Sequence, residues 1–173
     1  MTTVTPQPRL DPLRPDDFAA VAAVAREIWH AHYASIISHG QIEYMLDGRF
    51  TPENLQRYVG ASRRWMDVLR VADNVVGYCS CALTDTAGEM KLEQLYLLPA
   101  LHGRGFGKLM LHHIEALARR NACDTLVLQV NKHNANTIAV YLRSGFTVRR
   151  EAVTDIGQGY VMDDYIMEKR LQD

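Results

Sequence analysis

Charge of one sign is what this 173-residue sequence most plainly lacks: 19 Lys and Arg stand against 20 Asp and Glu, a net charge of −1. That balance removes the electrostatic case for nucleic acid or an anionic membrane as the main partner. Cysteine is scarce as well. Cys79, Cys81 and Cys123 form neither a Cys-x-x-Cys pair nor a disulfide framework, and Cys79 and Cys81, two apart on an expected strand, read as small apolar packing groups in a chain kept in a reducing cytoplasm. No apolar run approaches the length of a membrane span, and the N-terminus lacks the hydrophobic segment of a signal peptide. Internal repeats and low-complexity tracts are absent. Seven histidines are present, but His30 and His32 face different ways on an expected helix, and His112 and His113 are adjacent. No His-Glu-x-x-His or Cys/His ligand spacing occurs, so no metal is expected.

What is present is 47% hydrophobic content, enough for one globular domain with a real core. We expect a loose lead-in over 1–8, with Pro6 and Pro8, then a single domain over 9–173. A short strand is expected over Arg9–Arg14. Asp16 or Asp17 can cap a helix whose apolar face includes Phe18, Val21, Val24, Ile28 and Trp29. A second helix falls near Ile42–Leu46, and a third starts at Thr51-Pro52-Glu53 with Thr as cap and Pro in the first turn. Asp67–Ala72 and Val75–Leu83 read as strands joined by a tight turn at Asp73-Asn74. After a turn at Thr84–Gly88 come a strand over Met90–Leu97, helix 105–120, strand 125–130, helix 135–143 and strands near 146–153 and 161–170. Strands first, then β-α-β-α-β, indicate an α/β domain with a mixed central sheet.

The most informative stretch is Leu95 to Lys108, Leu-Tyr-Leu-Leu-Pro-Ala-Leu-His-Gly-Arg-Gly-Phe-Gly-Lys. An apolar strand runs through a proline turn and a glycine-rich loop onto an amphipathic helix. Gly103, Gly105 and Gly107 allow a sharp turn and close approach of backbone N–H groups to a ligand. The helix start behind the loop offers unpaired donors and the positive end of a dipole, which suits a pyrophosphate. Arg104 and Lys108 add charge. A Rossmann pattern would need glycine where Lys108 stands, and no G-x-x-x-x-G-K-[ST] occurs.

Thirty residues on comes Leu126-Val-Leu-Gln-Val-Asn131-Lys-His-Asn134-Ala-Asn-Thr-Ile138-Ala-Val140-Tyr141-Leu-Arg143-Ser-Gly145-Phe146. The segment His102 to Gly107 resembles the [QR]-x-x-G-x-[GA] loop of the GNAT acyltransferases, and this second stretch resembles the family's strand–Asn–helix–Tyr signature. The resemblance spans roughly residues 9–171 and is most specific over 90–147. His102 stands where the family usually has Gln or Arg.

The resemblance implies a GNAT-like, mostly antiparallel mixed sheet flanked by helices, and transfer of an acetyl group from acetyl-CoA to an amine. It implies a cofactor-binding set of Leu95, Tyr96, Leu97, His102, Gly103, Arg104, Gly105, Phe106, Gly107, Lys108, Asn134, Tyr141 and Arg143, with backbone groups of 95 and 97 pairing the pantetheine amides. An alkyl ammonium is only about a thousandth deprotonated at pH 7, a cost near 4 kcal/mol, so a base is useful. Glu93, in Leu92-Glu93-Gln94-Leu95-Tyr96-Leu97, matches the catalytic Glu of polyamine-type members; otherwise it is a strand-end carboxylate facing Lys91 or water. Tyr141 matches the family's general acid toward the leaving thiolate.

On the acceptor side, Trp29 and Tyr33, one helical turn apart, either wall a substrate pocket or belong to the core. Tyr160 and Asp163 are further substrate-side candidates. Asp163 and Asp164 are adjacent on a strand and point to opposite faces, so that one meets a cationic amine while the other is solvated, or both belong to a solvated edge. A small-molecule amine is the expected partner, with a homodimer left open. Two alternatives stand beside it: acetylation of a protein N-terminus or lysine, and a CoA-binding sensor without catalysis.

Overall fold

A computed structural model describes residues 6–172. Of the expected lead-in, residues 1–5 lie outside the described residues, and 6–8 carry neither helix nor strand. The elements are β1 (Arg9–Pro12), α1 (Phe18–Tyr33), α2 (His39–Leu46), α3 (Pro52–Gln56), β2 (Arg64–Val71), β3 (Asn74–Leu83), β4 (Glu89–Leu97), α4 (Phe106–Arg120), β5 (Thr125–Asn131), α5 (Ala135–Arg143), β6 (Thr147–Gly157) and β7 (Tyr160–Arg170). The seven strands follow the order β1-β2-β3-β4-β5-β7-β6 in a mixed sheet flanked by helices. β4 and β5 run parallel, whereas β1–β2, β5–β7 and β6–β7 are antiparallel. This is the α/β architecture the resemblance implied.

The chain packs as two compact units, one running up to Cys81 and including Gln94–His113, the other made of Ala82–Glu93 and the residues from Ile114 onward. In the first unit Val21, Ala25, Ile28 and Trp29 of α1 repeat at helical spacing and bury against Ile42, Leu46, Leu55, Met66, Val68 and Tyr78. Asp17 precedes α1 but does not cap it. Its carboxylate accepts the Arg14 N–H at 3.0 Å and the Arg70 guanidinium at 2.5 Å, which closes the preceding 3-10 turn instead. Thr51 caps α3 as expected, accepting the Asn54 N–H at 3.3 Å.

Several boundaries differ from the sequence reading: β2 begins at Arg64, not Asp67, and β6 runs on to Gly157. β1 stops at Pro12, just ahead of the 3-10 turn that begins at Pro15. The β2–β3 turn is Ala72-Asp73, both left-handed at φ 50° and 65°, and Asn74 already belongs to β3. Two consecutive left-handed residues give the twist a two-residue hairpin requires. The Asn74 side chain supports that turn by donating to the Ala72 carbonyl at 3.2 Å.

In the second unit β5 carries Leu126, Val127, Leu128 and Val130, all buried, as a strand covered on both faces. β7 lies between β5 and β6, so the edge of this sheet is β6, not the strand bearing Asp163 and Asp164. Ionic ties cross its strands, Arg149 meeting Glu89 at 2.9 Å and Glu168 at 2.7 Å, and another joins β7 to α4, Lys169 meeting Glu115 at 2.6 Å. Cys79, Cys81 and Cys123 are buried and not joined in disulfides, and burial pushes the Cys79 thiol well up.

Candidate active site

In the first unit the end of β4 leads into the glycine loop. Leu95 and Tyr96 are half-buried and Leu97 is buried. Gly103 and Gly105 hold φ of 77° and 83°, a region costly for any side chain. A Cβ placed on Gly103, Gly105 or Gly107 would meet nothing within 4 Å, so the loop fronts open space that a ligand could occupy. The first α4 bond runs from the Leu109 N–H to the Gly105 carbonyl at 3.0 Å, which puts the backbone N–H groups of Phe106, Gly107 and Lys108 in the unladdered first turn. Arg104 and Lys108 are exposed beside them. Those donors and two cations suit a pyrophosphate.

His102 has its own task. Its Nε2 lies 3.0 Å from the Leu97 carbonyl, and since a carbonyl only accepts, Nε2 carries the hydrogen. The imidazole thereby ties the start of the loop to the end of β4.

Sequence reasoning passed over Gly77, in the middle of β3. A Cβ there would stand 2.6 Å from the Tyr96 carbonyl oxygen and 3.4 Å from the Leu97 Cα. Only glycine lets the backbones of β3 and β4 approach this closely at Tyr96 and Leu97. A lone glycine inside an apolar strand was the available signal.

In the second unit, β5 ends at Asn131, which is buried and accepts the His133 N–H through Oδ1 at 2.9 Å. Asn134 is buried at the start of α5, and its carbonyl accepts the first α5 bond from Ile138 at 3.0 Å. The Tyr141-to-Phe146 segment is a glycine helix terminus. Gly145 is left-handed at φ 97°, its N–H donates to Leu142, and the Phe146 N–H donates to the Tyr141 carbonyl at 3.0 Å. The Tyr141 and Phe146 rings meet edge to face at 5.3 Å, the apolar contact that accompanies such a terminus. Gly-Phe therefore has a structural task of its own: it holds Tyr141 at the last turn with a half-buried ring.

Glu93 is exposed on β4. Lys91, two residues earlier, spends its ammonium on the Gln129 side chain at 2.6 Å. Arg143 is exposed and Tyr160 half-buried. Asp163 pairs with Lys132 at 2.8 Å, and Lys132 also meets Glu151 at 3.1 Å. Asp164 is the carboxylate that sequence reasoning left unassigned. It is 2% exposed, its Oδ1 has no hydrogen-bond partner, and burial, then neighbouring Asp163, pushes its carboxyl up from the ordinary range. Asp163 is thus partly exposed and ion-paired while Asp164 is buried, and β7, which bears both, is not the edge strand.

Trp29 is 1% exposed, its indole N–H donating to the Tyr78 hydroxyl at 3.0 Å, and Tyr33 leans on it at 5.0 Å. Trp29 thus sits in the core and backs Tyr33, which is half-buried. Two of the histidines are engaged with carboxylates: His30 meets Glu43 at 2.6 Å and His113 meets Asp67 at 3.1 Å. Among the described residues no group of three His, Cys, Asp or Glu could hold a metal.

The first unit carries a glycine loop that opens a helix, and the second a strand–Asn–helix–Tyr segment; the class of protein is shown by comparison with known families. The Acetyltransferase (GNAT) family model matches residues 23–146, and the chain belongs to that family. It is an acetyl-CoA-dependent N-acetyltransferase. Among its relatives is a spermidine N(1)-acetyltransferase of Thermoplasma acidophilum, 27% identical over 91% of this chain and 93% of that protein. An uncharacterized N-acetyltransferase of Mycobacterium tuberculosis is 25% identical over 90% of this chain and 98% of its own length. The fold resembles that of the PaiA N-acetyltransferase of Thermoplasma acidophilum in complex with coenzyme A, with a TM-score of 0.81 and 24% identity over 95% of this chain and 99% of that one.

Proposed function

We propose that the protein acetylates a primary amine of a small, polyamine-like molecule by direct attack in a ternary complex. The observation that carries the small-amine reading is the near full-length relation to a protein named as a spermidine N(1)-acetyltransferase. In this reading the 102–108 loop and the first turn of α4 take the pyrophosphate, backbone groups of Leu95 to Leu97 take the pantetheine amides, and Asn134 and Arg143 add polar contacts. Tyr33, Tyr160 and Asp163 line the acceptor side, with Trp29 supporting Tyr33 from the core.

Glu93 takes a proton from the ammonium, directly or through water, and the amine nitrogen attacks the thioester carbonyl. The C–N bond forms and the C–S bond breaks; the Tyr141 hydroxyl gives its proton to the departing sulfur, and the second proton that the nitrogen sheds on becoming an amide restores the hydroxyl through solvent, so that one proton is released net, by way of Glu93. The exposure of Glu93 suits a base that must return its proton to solvent. Three buried cysteines outside any disulfide fit a reducing cytoplasm.

The test is thiol release from acetyl-CoA with an acceptor panel of spermidine, amino acids, aminoglycosides and short peptides. Turnover with spermidine or another small amine is expected. Turnover confined to peptides would move the assignment to protein acetylation, and binding of acetyl-CoA without turnover on any acceptor would make the protein a sensor. On the accepted amine, Glu93→Gln should lower kcat and move its pH profile while acetyl-CoA affinity holds.

A further inference from the structure

Five aromatic rings of the first unit converge where α1 ends against the end of β4. Trp29 and Tyr78 are fully buried, while His32, Tyr33 and Tyr96 are half-buried. The Tyr33 and Tyr96 ring centroids lie 6.4 Å apart at 63°, those of His32 and Tyr96 6.4 Å apart at 74°, and those of His32 and Tyr33 4.7 Å apart at 89°. The Tyr33 and Tyr96 hydroxyls share a hydrogen bond of 2.7 Å, which fixes the angle between their rings.

We propose that the corner made by His32, Tyr33 and Tyr96 is the subsite that holds the cationic end of the acceptor, an alkylammonium, against its ring faces. Steeply inclined rings at this separation have positions from which one cation lies within about 6 Å of both centroids, the range in which the ring quadrupole attracts it. The cluster already holds one cation this way: the Arg49 guanidinium stands 5.2 Å from the centre of the Trp29 ring. The corner brings no positive charge of its own at neutral pH, because burial and the nearby His102 keep the His32 imidazole below its ordinary range. Tyr96 is also the residue between Leu95 and Leu97, so the corner adjoins along the chain the stretch assigned to the acetyl donor. As a subsite, the corner rests on the acetyltransferase reading. Its ability to bind a cation does not.

The groups facing His32 are Tyr33 on its own helix, Tyr96 on β4 and His102 on the glycine loop. Protonation of His32 places a charge inside the corner, so its occupancy by a cation falls as the pH falls.

The experiment titrates the full chain with tetramethylammonium chloride and, separately, with tert-butanol of similar size, followed by the ring-proton NMR shifts of Tyr33 and Tyr96. At about pH 7.5 the cation should bind about tenfold more tightly than the alcohol. Tyr33→Phe should keep that preference and Tyr33→Leu should lose it. Acidification to about pH 5.5 should weaken cation binding by the wild type but not by His32→Gln. Equal binding of the two probes, no cation binding by the wild type, or a preference that survives Tyr33→Leu would overturn the proposal, and the wild-type comparison decides it even if Tyr33→Leu does not fold. A parallel acetyl-CoA titration separates the two readings. Acetyl-CoA binding without cation preference removes the corner alone, whereas cation preference without acetyl-CoA binding removes the acetyltransferase reading.

Discussion

Tyr141 combines two tasks that substitution can separate. Its ring packs on Phe146 at the glycine terminus of α5, and its hydroxyl is the proposed proton donor. Tyr141→Phe keeps the packing and removes the donor, so the melting temperature should hold while kcat falls about 10²-fold, near the lower end for general acid help. The deficit should shrink with a thioester whose leaving thiol is more acidic; a deficit blind to leaving-group pKa would reduce Tyr141 to a positioning role. Asp164 makes a prediction about stability. Its folded pKa is raised by burial, so the folded state holds the proton more tightly than the unfolded chain does. Its favourable contribution is therefore complete at low pH and is lost as the pH rises through the raised value. Asp164→Asn should raise the melting temperature at about pH 7, with the gain shrinking toward about pH 4. A gain independent of pH would mean that charge is not its origin. The pair also shows where residue-level reading stopped. Two adjacent aspartates on a strand must face opposite ways, but which one Lys132 claims and which one is buried depends on β5 and β6 as neighbours.

Among the elements, the glycine loop and the first turn of α4 carry the sharpest test. Gly105→Glu sets a side chain at φ 83° in space now open and adds negative charge where a pyrophosphate is proposed. Acetyl-CoA binding should be lost in calorimetry with the circular dichroism spectrum retained; unchanged affinity would remove the loop from the cofactor site. Both this loop and α5 were legible because their chemistry is local. Glycines in sequence announce a turn, and Ala135–Arg143 was delimited as observed because Asn134 opens the helix and Gly145 closes it. The first cap and the first hairpin turn were less legible. Asp17 had a competing partner in Arg70, 53 residues away, and Asp73 shared its turn with Ala72, not Asn74. Left-handed alanine is unfavourable in isolation, and the strand register that imposes it is not a local property.

At the scale of the whole molecule, a ligand that binds only the folded chain must stabilise it. Acetyl-CoA at a hundredfold excess over its Kd should add about 2.7 kcal/mol. For a chain of this size that corresponds to a rise in melting temperature of about 5–10 °C by differential scanning fluorimetry. Magnesium or zinc ions should add nothing comparable, since no cluster of three His, Cys, Asp or Glu able to hold a metal occurs among the described residues. A large shift with metal and none with acetyl-CoA would contradict the assignment of the glycine loop.

The amino-acid sequence by itself determined the class of fold, the order of helices and strands, the glycine loop and the Asn–Tyr–Gly-Phe signature, because periodicity, turn chemistry and helix termini act over a few residues. Tertiary structure alone decided that Trp29 is core while Tyr33 stands half-exposed on it, and that Gly77 is required by a backbone passing 2.6 Å from its missing Cβ. It also decided that His32, Tyr33 and Tyr96 meet at all. Tyr33 and Tyr96 are 63 residues apart, and the hydrogen bond between their hydroxyls exists only once α1 has packed on the strand that carries the second of them. Contacts of that kind depend on how a buried helix face docks on a sheet, which local spacing does not encode.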